Sequence, residues 1–394
     1  MIDFKFDKEC CGCAACVDVC PKRCITLVEQ ENGFVVPSIN KINCIECHKC
    51  EKVCPILNPS RIKFDRRKCF SAKNNDENQR KAGSSGSIFF LLAENVIKQG
   101  GVVYGAAFDE KLRLCHVYAE TPEQLRPLLK SKYLQSSTTG VYKSVSQHLK
   151  TGRKVLFVGT PCQCNALYKT LGQKKPDNLQ LVDFICHGVP SQKLFDDAIQ
   201  HYEKKHKCKI TAFEFRHKRP DCVHYFFLKG KRNGKNWGGS YDCSEFEVNE
   251  RFDKFPFYNG FKRYLCFRES CYHCKFAVQE RVADLTLADF WNIEKIDPSI
   301  DIQEFNKGYS MVITNSNKGE EIFMTLNDRA NIKECDLENA VIYNSAYVKP
   351  VNDNFGSKSF RFIYSKCKYP IVEFIFFSKF YSGMNRIISI LSPK

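Results

Sequence analysis

The apolar and polar positions change rhythm at about residue 68. Before that point there are only two short apolar runs, 25–28 and 34–36, on either side of Asn32-Gly33. They predict a small strand pair around a tight turn. Beyond it the runs lengthen. Residues 88–98 read as a helix closed by Gly100-Gly101, and 102–108 as a buried strand. In 139–149 the spacing of Val141, Val145 and Leu149 places them on one helical face. Then come a strand at 155–159, a helix at 163–171, a strand at 179–185 and an amphipathic helix at 191–205. Strand and helix alternating at this interval predict a βαβ unit with parallel strands. Residues 223–229 and the run from Trp237 flank Asn233-Gly234, a hairpin signal, and 309–315 reads as a late strand.

The quiet first segment carries the densest chemistry. Cys10, Cys13, Cys16 and Cys20 precede Pro21, and Cys44, Cys47, Cys50 and Cys54 precede Pro55. Both runs read C-x2-C-x2-C-x3-C-P, the bacterial ferredoxin spacing for a 4Fe-4S cluster. Because the fourth Cys of each run serves the other cluster, Cys10, Cys13, Cys16 and Cys54 form one expected ligand set. Cys20, Cys44, Cys47 and Cys50 form the other. Zinc sites more often use two separated C-x2-C pairs, and disulfide frameworks belong to small secreted chains.

Size and charge narrow the class. A chain of 394 residues with 43% apolar content has room for two or three domains. Residues 1–8 alternate charged and aromatic side chains without an apolar signal region, and the strongest apolar stretch, 371–377, is too short to span a bilayer. With 23 cysteines, the expectation is metal ligation in a reducing cytoplasm. The formal charge is +16. A 4Fe-4S core with four thiolates contributes about −2, so three such sites would leave roughly +10. That excess favours anionic partners: a nucleotide cofactor, a phosphorylated substrate, an acidic redox carrier or a membrane surface. Lys and Arg are scattered and match no nucleic-acid motif, so nucleic acid is not expected.

Four later cysteines stand out by position. Cys162 follows the first strand of the βαβ unit and Cys186 the second, so both belong at the carboxyl edge of a parallel sheet, where ligands bind. Cys271 and Cys274 add a C-x2-C pair. Together they describe either a third 4Fe-4S cluster or structural zinc. Cys164 and Cys266 compete for the same roles, and His187 and His273 are neighbouring alternatives. The loop Gly83, Ser84, Ser85, Gly86, Ser87 enters a helix. Its backbone N–H groups suit a phosphate, and an ordinary capped helix is the competing reading.

The ordered motifs Gly-Ser-Ser-Gly, Ser131-Lys132-Tyr133, Gly-Thr-Pro-Cys-Gln, Cys-His-Gly, C-x2-C and Ala288-Asp-Phe-Trp291 resemble the coenzyme F420 hydrogenase/dehydrogenase beta-subunit family over about residues 82–313. The resemblance implies a flavin enzyme that passes electrons between clusters, FAD and, in some members, coenzyme F420. It implies cluster ligation by Cys162, Cys186, Cys271 and Cys274, and flavin contacts from Gly83 to Ser87 and from Ser131, Lys132 and Tyr133. Lys132 would be a charge partner for a phosphate or the flavin ring. Tyr133, His187 and Asp289 lie in family motifs and are the catalytic candidates. Ser87 stands where many relatives carry glycine.

The expected fold joins α+β and α/β parts. A ferredoxin-like module (1–58) and a linker (59–68) precede a mixed α/β flavin-binding domain in two parts (69–150 and 151–345). A basic aromatic tail (346–394) follows, with Phe374, Phe377, Phe380, Tyr381, Lys379 and Arg386; it is a packing helix, a partner contact or a membrane-surface helix. The expected function is electron relay from the ferredoxin clusters through the third cluster to FAD and a two-electron acceptor, coenzyme F420 or a substrate of surface polysaccharide synthesis. A small electron carrier or a partner oxidoreductase subunit would supply the electrons. A non-catalytic electron-transfer subunit and a zinc-bound nucleic-acid-binding protein are the alternatives.

Overall fold

The computed structural model describes residues 2–5, 7–219, 224–232, 234–235, 241–242 and 244–377. Strands β1 (Ile25–Glu29) and β2 (Val35–Ile39) pair antiparallel, and Gly33 turns between them at a φ of 79°. The rest is organised by an eight-stranded mixed sheet in the order β15-β3-β14-β13-β7-β6-β4-β5. Its centre is parallel: β4 (Val102–Phe108), β6 (Val155–Gly159), β7 (Leu179–Phe184) and β13 (Leu285–Asp289). Antiparallel strands finish both sides, β5 (Leu114–Ala119) on one and β14 (Ser310–Thr314), β3 (Cys69–Asn74) and β15 (Ala330–Cys335) on the other. Strands from 69–150 and from 151–345 therefore interleave in one sheet.

The central strands are buried on both faces, which explains their nearly unbroken apolar runs. Val103, Leu156 and Val182 face the helix Ile88–Lys98 and the helix Asn317–Met324. Val102, Tyr104, Val155, Phe157, Leu179 and Leu181 face the helices Val141–Lys150 and Pro161–Thr170. Cys13, Ala15 and Val53 join this second face, so the N-terminal module is seated on it. Asp18 fixes the seat by accepting from the backbone N–H of Gly140 at 2.6 Å and of Tyr142 at 3.1 Å, at the start of the helix Val141–Lys150. Orphan N–H groups at a helix start are natural partners for a carboxylate.

Three expectations change. Residues 59–68 are pinned rather than a free linker: the backbone of Ser60 exchanges two hydrogen bonds with the Asn165 side chain, and Lys68 pairs with Glu320 at 2.6 Å. Asn233-Gly234 is not the hairpin turn. β10 (Gly234–Lys235) pairs with β11 (Tyr241–Asp242), which puts Gly234 on an arm; Asn233, Val223 and Trp237 lie outside the described residues. The described part of the C-terminal region is not a separate tail. Its helix Phe355–Tyr364 sends Phe360 and Tyr364 into the core, and Tyr369 and Val372 follow, packing with the helix Gln192–His206 and a second sheet. That sheet has the antiparallel order β12-β9-β8, from β8 (Cys208–His217), β9 (Tyr225–Arg232) and β12 (Glu245–Arg251). Phe380, Tyr381, Lys379 and Arg386 lie outside the described residues. No helix among the described residues is long and apolar enough to cross a membrane.

Candidate redox centres and a shared cavity

The two N-terminal cysteine loops carry the same backbone pattern. Gly12 and Ala14 have φ of 68° and 58°, and their counterparts Glu46 and His48 have 50° and 54°. Three of these four are not glycine, and left-handed geometry there is adopted against steric preference. It curls each loop so that a backbone N–H meets a thiol: Gly12 N–H donates to Cys10 Sγ at 3.3 Å and Glu46 N–H to Cys44 Sγ at 3.4 Å. Cys16 lies within electrostatic reach of Cys10 and Cys54, and burial followed by those neighbours pushes its thiol up to about 12. Cys20, Cys44, Cys47 and Cys50 line a second, separate cavity, with Cys24 as a fifth thiol 3.4 Å from Cys20. The arrangement fits the two crossed ligand sets.

Cys162, Cys186, Cys271 and Cys274 line one small cavity at the carboxyl edge of the parallel strands. Thr160 caps the helix Pro161–Thr170 in a reciprocal box with Gln163, fixing Cys162 in its first turn. The hydroxyl of Thr160 lies 3.0 Å from the Cys162 thiol. Phe276 N–H meets Cys274 Sγ at 3.4 Å, the same N–H to sulfur contact as in the N-terminal loops. No carboxylate is in the lining, and its charged members are Lys275 and Arg281. Four soft thiols in a cationic wall fit an anionic iron–sulfur cluster. The two competing cysteines lie elsewhere: Cys164 is in the sheet core, donating toward the carbonyls of Gly159 and Val182, and Cys266 is in the core around β8. His273 is exposed, whereas His187 lines the cavity and stacks on Tyr264. Burial holds His187 below the usual histidine range.

Cys11 was not singled out by spacing, because it is an extra residue inside the first motif. Its thiol hydrogen-bonds to those of Cys13 and Cys162, which places it between the first N-terminal set and the third. Gln135 Nε2 donates to its carbonyl at 2.8 Å.

A much larger cavity of about 1000 Å³ adjoins this site. The segment Cys186, His187, Gly188, Val189 lines both, together with Thr160 and Gln163. Gly83, Ser84, Ser85, Ser87, Ser131, Lys132, Tyr133, His187 and Asp289 all border the larger space. Gly86 does not: a Cβ there would strike the Ala72 carbonyl and the Ser310 N–H, so its role is close approach to β3 and β14. Nor does Ser87 cap the following helix. At a φ of 64° it turns its hydroxyl back to the Gln79 carbonyl at 2.9 Å.

On one wall a chain of polar groups runs Ser85, Asp289, Arg216, Tyr133. Ser85 donates to Asp289 Oδ1, and Arg216 donates to Asp289 Oδ2 and to the Tyr133 hydroxyl, each at 2.9 Å. The Arg216 guanidinium is buried and lies over the Trp291 ring. Lys132 donates to the carbonyls of Pro127 at 2.8 Å and Leu129 at 2.6 Å, and burial lowers its ammonium to about 7. Lys218 holds the carbonyls of Arg80 and Ser85; burial, then the charges of Arg80 and Arg216, lower it also to about 7. Arg216, Lys218 and Trp291 are the cavity groups that motif reading passed over.

These lysines make a pH prediction. Below about pH 7 both carry charge and attract an anion bound in the cavity; above it they lose that charge. Affinity for an anionic cofactor should therefore fall as pH rises through about 7, and Lys132→Met should flatten part of that fall, read by titration at several pH values. A slope identical in both proteins would exclude Lys132 from the binding wall.

Residues 152–340 match the family model for the C-terminal part of the coenzyme F420 hydrogenase/dehydrogenase beta subunit. Residues 9–57 match the 4Fe-4S dicluster domain. No curated protein matches. Among solved structures, a chain of the F420-reducing NiFe hydrogenase complex from Methanosarcina barkeri, in a xenon-derivatised structure, is similar at 16% identity. The likeness covers 80% of this chain and 92% of that one, with a TM-score of 0.42.

Proposed function

From a chain whose residues 152–340 belong to the coenzyme F420 hydrogenase/dehydrogenase beta-subunit family, behind a 4Fe-4S dicluster domain, we propose an iron–sulfur flavoprotein oxidoreductase. It passes electrons from the N-terminal clusters through a third cluster and a flavin to an anionic two-electron acceptor. The observation that carries this reading is the shared wall: Cys186 to Val189 lines both the four-cysteine cavity and the large one. When bound, clusters supply single-electron transfer and a flavin couples it to two-electron chemistry.

The chain's own groups divide the remaining work. Cys162, Cys186, Cys271 and Cys274 would hold the third cluster, and Cys11 keeps it in contact with the first loop. Ser84, Ser85, Ser131 and the backbone beside them would orient a phosphate-bearing cofactor. Lys132 and Lys218 would offset its charge, and Arg216 keeps Asp289 and Tyr133 aligned on the cavity wall. The acceptor is coenzyme F420 or another anionic substrate, and a small electron carrier or partner subunit delivers the electrons to the N-terminal module. There Cys47 is exposed at the surface.

Anaerobic purification, with iron, sulfide and flavin measured on one sample, tests the reading. Three clusters require about twelve irons per chain, accompanied by one flavin. About eight irons without flavin would leave an electron-transfer subunit that needs a partner for its chemistry.

A further inference from the structure

Arg281 is only 3% exposed, and its guanidinium is almost fully engaged. One terminal nitrogen donates to Asp183 Oδ2 at 3.2 Å and the other to the Tyr347 carbonyl at 3.4 Å. The group lies 4.9 Å from the centre of the Tyr347 ring. Its Nε–H has no partner. A buried donor left without an acceptor bears the full cost of its lost hydration, so a specific one calls for an explanation, and a missing ligand is one.

The position of this donor narrows what the ligand is. Arg281 stands in the wall of the cavity that Cys162, Cys186, Cys271 and Cys274 line. Asp183, which holds it, belongs to β7, the strand that delivers Cys186. Asp183 is itself fixed by Thr286 at 2.6 Å, and Thr286 by Asn315 at 2.9 Å. The guanidinium is thus locked by the same sheet edge that presents the thiols.

We propose that Arg281 is a positioning residue for the third cluster, its Nε–H donating to a sulfur there and its charge raising that cluster's reduction potential. The inference rests on the third-cluster reading above. Hydrogen bonds to sulfur and local charge set the potentials of such clusters, and groups just outside the ligand shell tune them. Reduction adds negative charge at the cluster, so a fixed cation and donor favour the reduced form over the oxidised one.

The test is an EPR-monitored redox titration of the full chain, purified anaerobically, with iron measured on each sample. Arg281→Lys keeps a cation for Asp183 and removes the Nε–H. Arg281→Gln combined with Asp183→Asn removes the charge without stranding a buried carboxylate. The expected result is a third-cluster potential shifted negative in both variants and further in the double one. The two N-terminal potentials should stay put, and iron should remain about twelve per chain. Three unchanged potentials at full iron would overturn the proposal. So would loss of about four irons in both variants, which would make Arg281 a prop of the site. A wild-type protein with about eight irons would instead remove the third cluster itself, before any variant is compared.

Discussion

Replacing Cys186 by serine is expected to lower iron from about twelve to about eight per chain and to stop electron delivery to the acceptor. The two N-terminal cluster signals should remain. Cys186 is the thiol that borders both cavities, so its loss both opens a corner of the third cluster and disturbs the wall behind it. Serine is close in size but offers a hard oxygen where iron–sulfur clusters take soft thiolate. The control is Cys164→Ala, two residues from Cys162 and buried in the sheet core, with its thiol turned to the carbonyls of Gly159 and Val182. It should keep all its iron. Equal iron in Cys186→Ser and wild type would mean that the four cysteines hold no cluster.

Removing the Arg216 charge should be the most damaging change in the large cavity. Arg216→Met would leave the Asp289 carboxylate facing the cavity with Ser85 but without its cation. An anionic cofactor would then meet an uncompensated negative charge. Hydrogen bonds to charged groups contribute about 1.5–3 kcal/mol, so flavin affinity should fall roughly 10- to 150-fold. Reconstitution of the apo-flavoprotein with FAD, followed by fluorescence, reads the change. Combining Arg216→Met with Asp289→Asn should recover much of the affinity, since the second change removes the stranded charge. No difference between the single variant and wild type would place the cofactor elsewhere.

The parts that could be read from the chain are those whose signal is local. Residues 102–108, 155–159 and 179–184 carry uninterrupted apolar runs because helices cover both faces of those strands. The βαβ order followed, and with it the meeting of Cys162 and Cys186. What stayed hidden depends on contacts distant in sequence or on broken periodicity. Two register shifts in β8, between Ile210 and Ala212 and between Glu214 and His217, interrupt the alternation that would have marked a strand. Arg216 was lost with it. Gly86 looked like part of a ligand loop, but its constraint comes from Ala72 and Ser310. Cys11 falls between motif positions and gains meaning only from Cys162, 151 residues later. The neighbours of β3, β14 and β15 at the sheet's other side carry no cue that short-range pattern could supply.

Arg268 has a consequence for how the protein comes into being. It is completely buried, donates to the carbonyls of Cys10 and Val35 and to Gln135 Oε1, and lies over the Phe34 ring, while Ser270 also holds the Cys10 carbonyl. The first cysteine loop is therefore bolted from behind once the N-terminal module is seated. Iron and sulfide have to reach Cys10, Cys13 and Cys16 while that bolt is open. Maturation then has an order, with loading ahead of closure, and chains made under iron starvation should pile up in a half-closed form that proteases cut near residue 60.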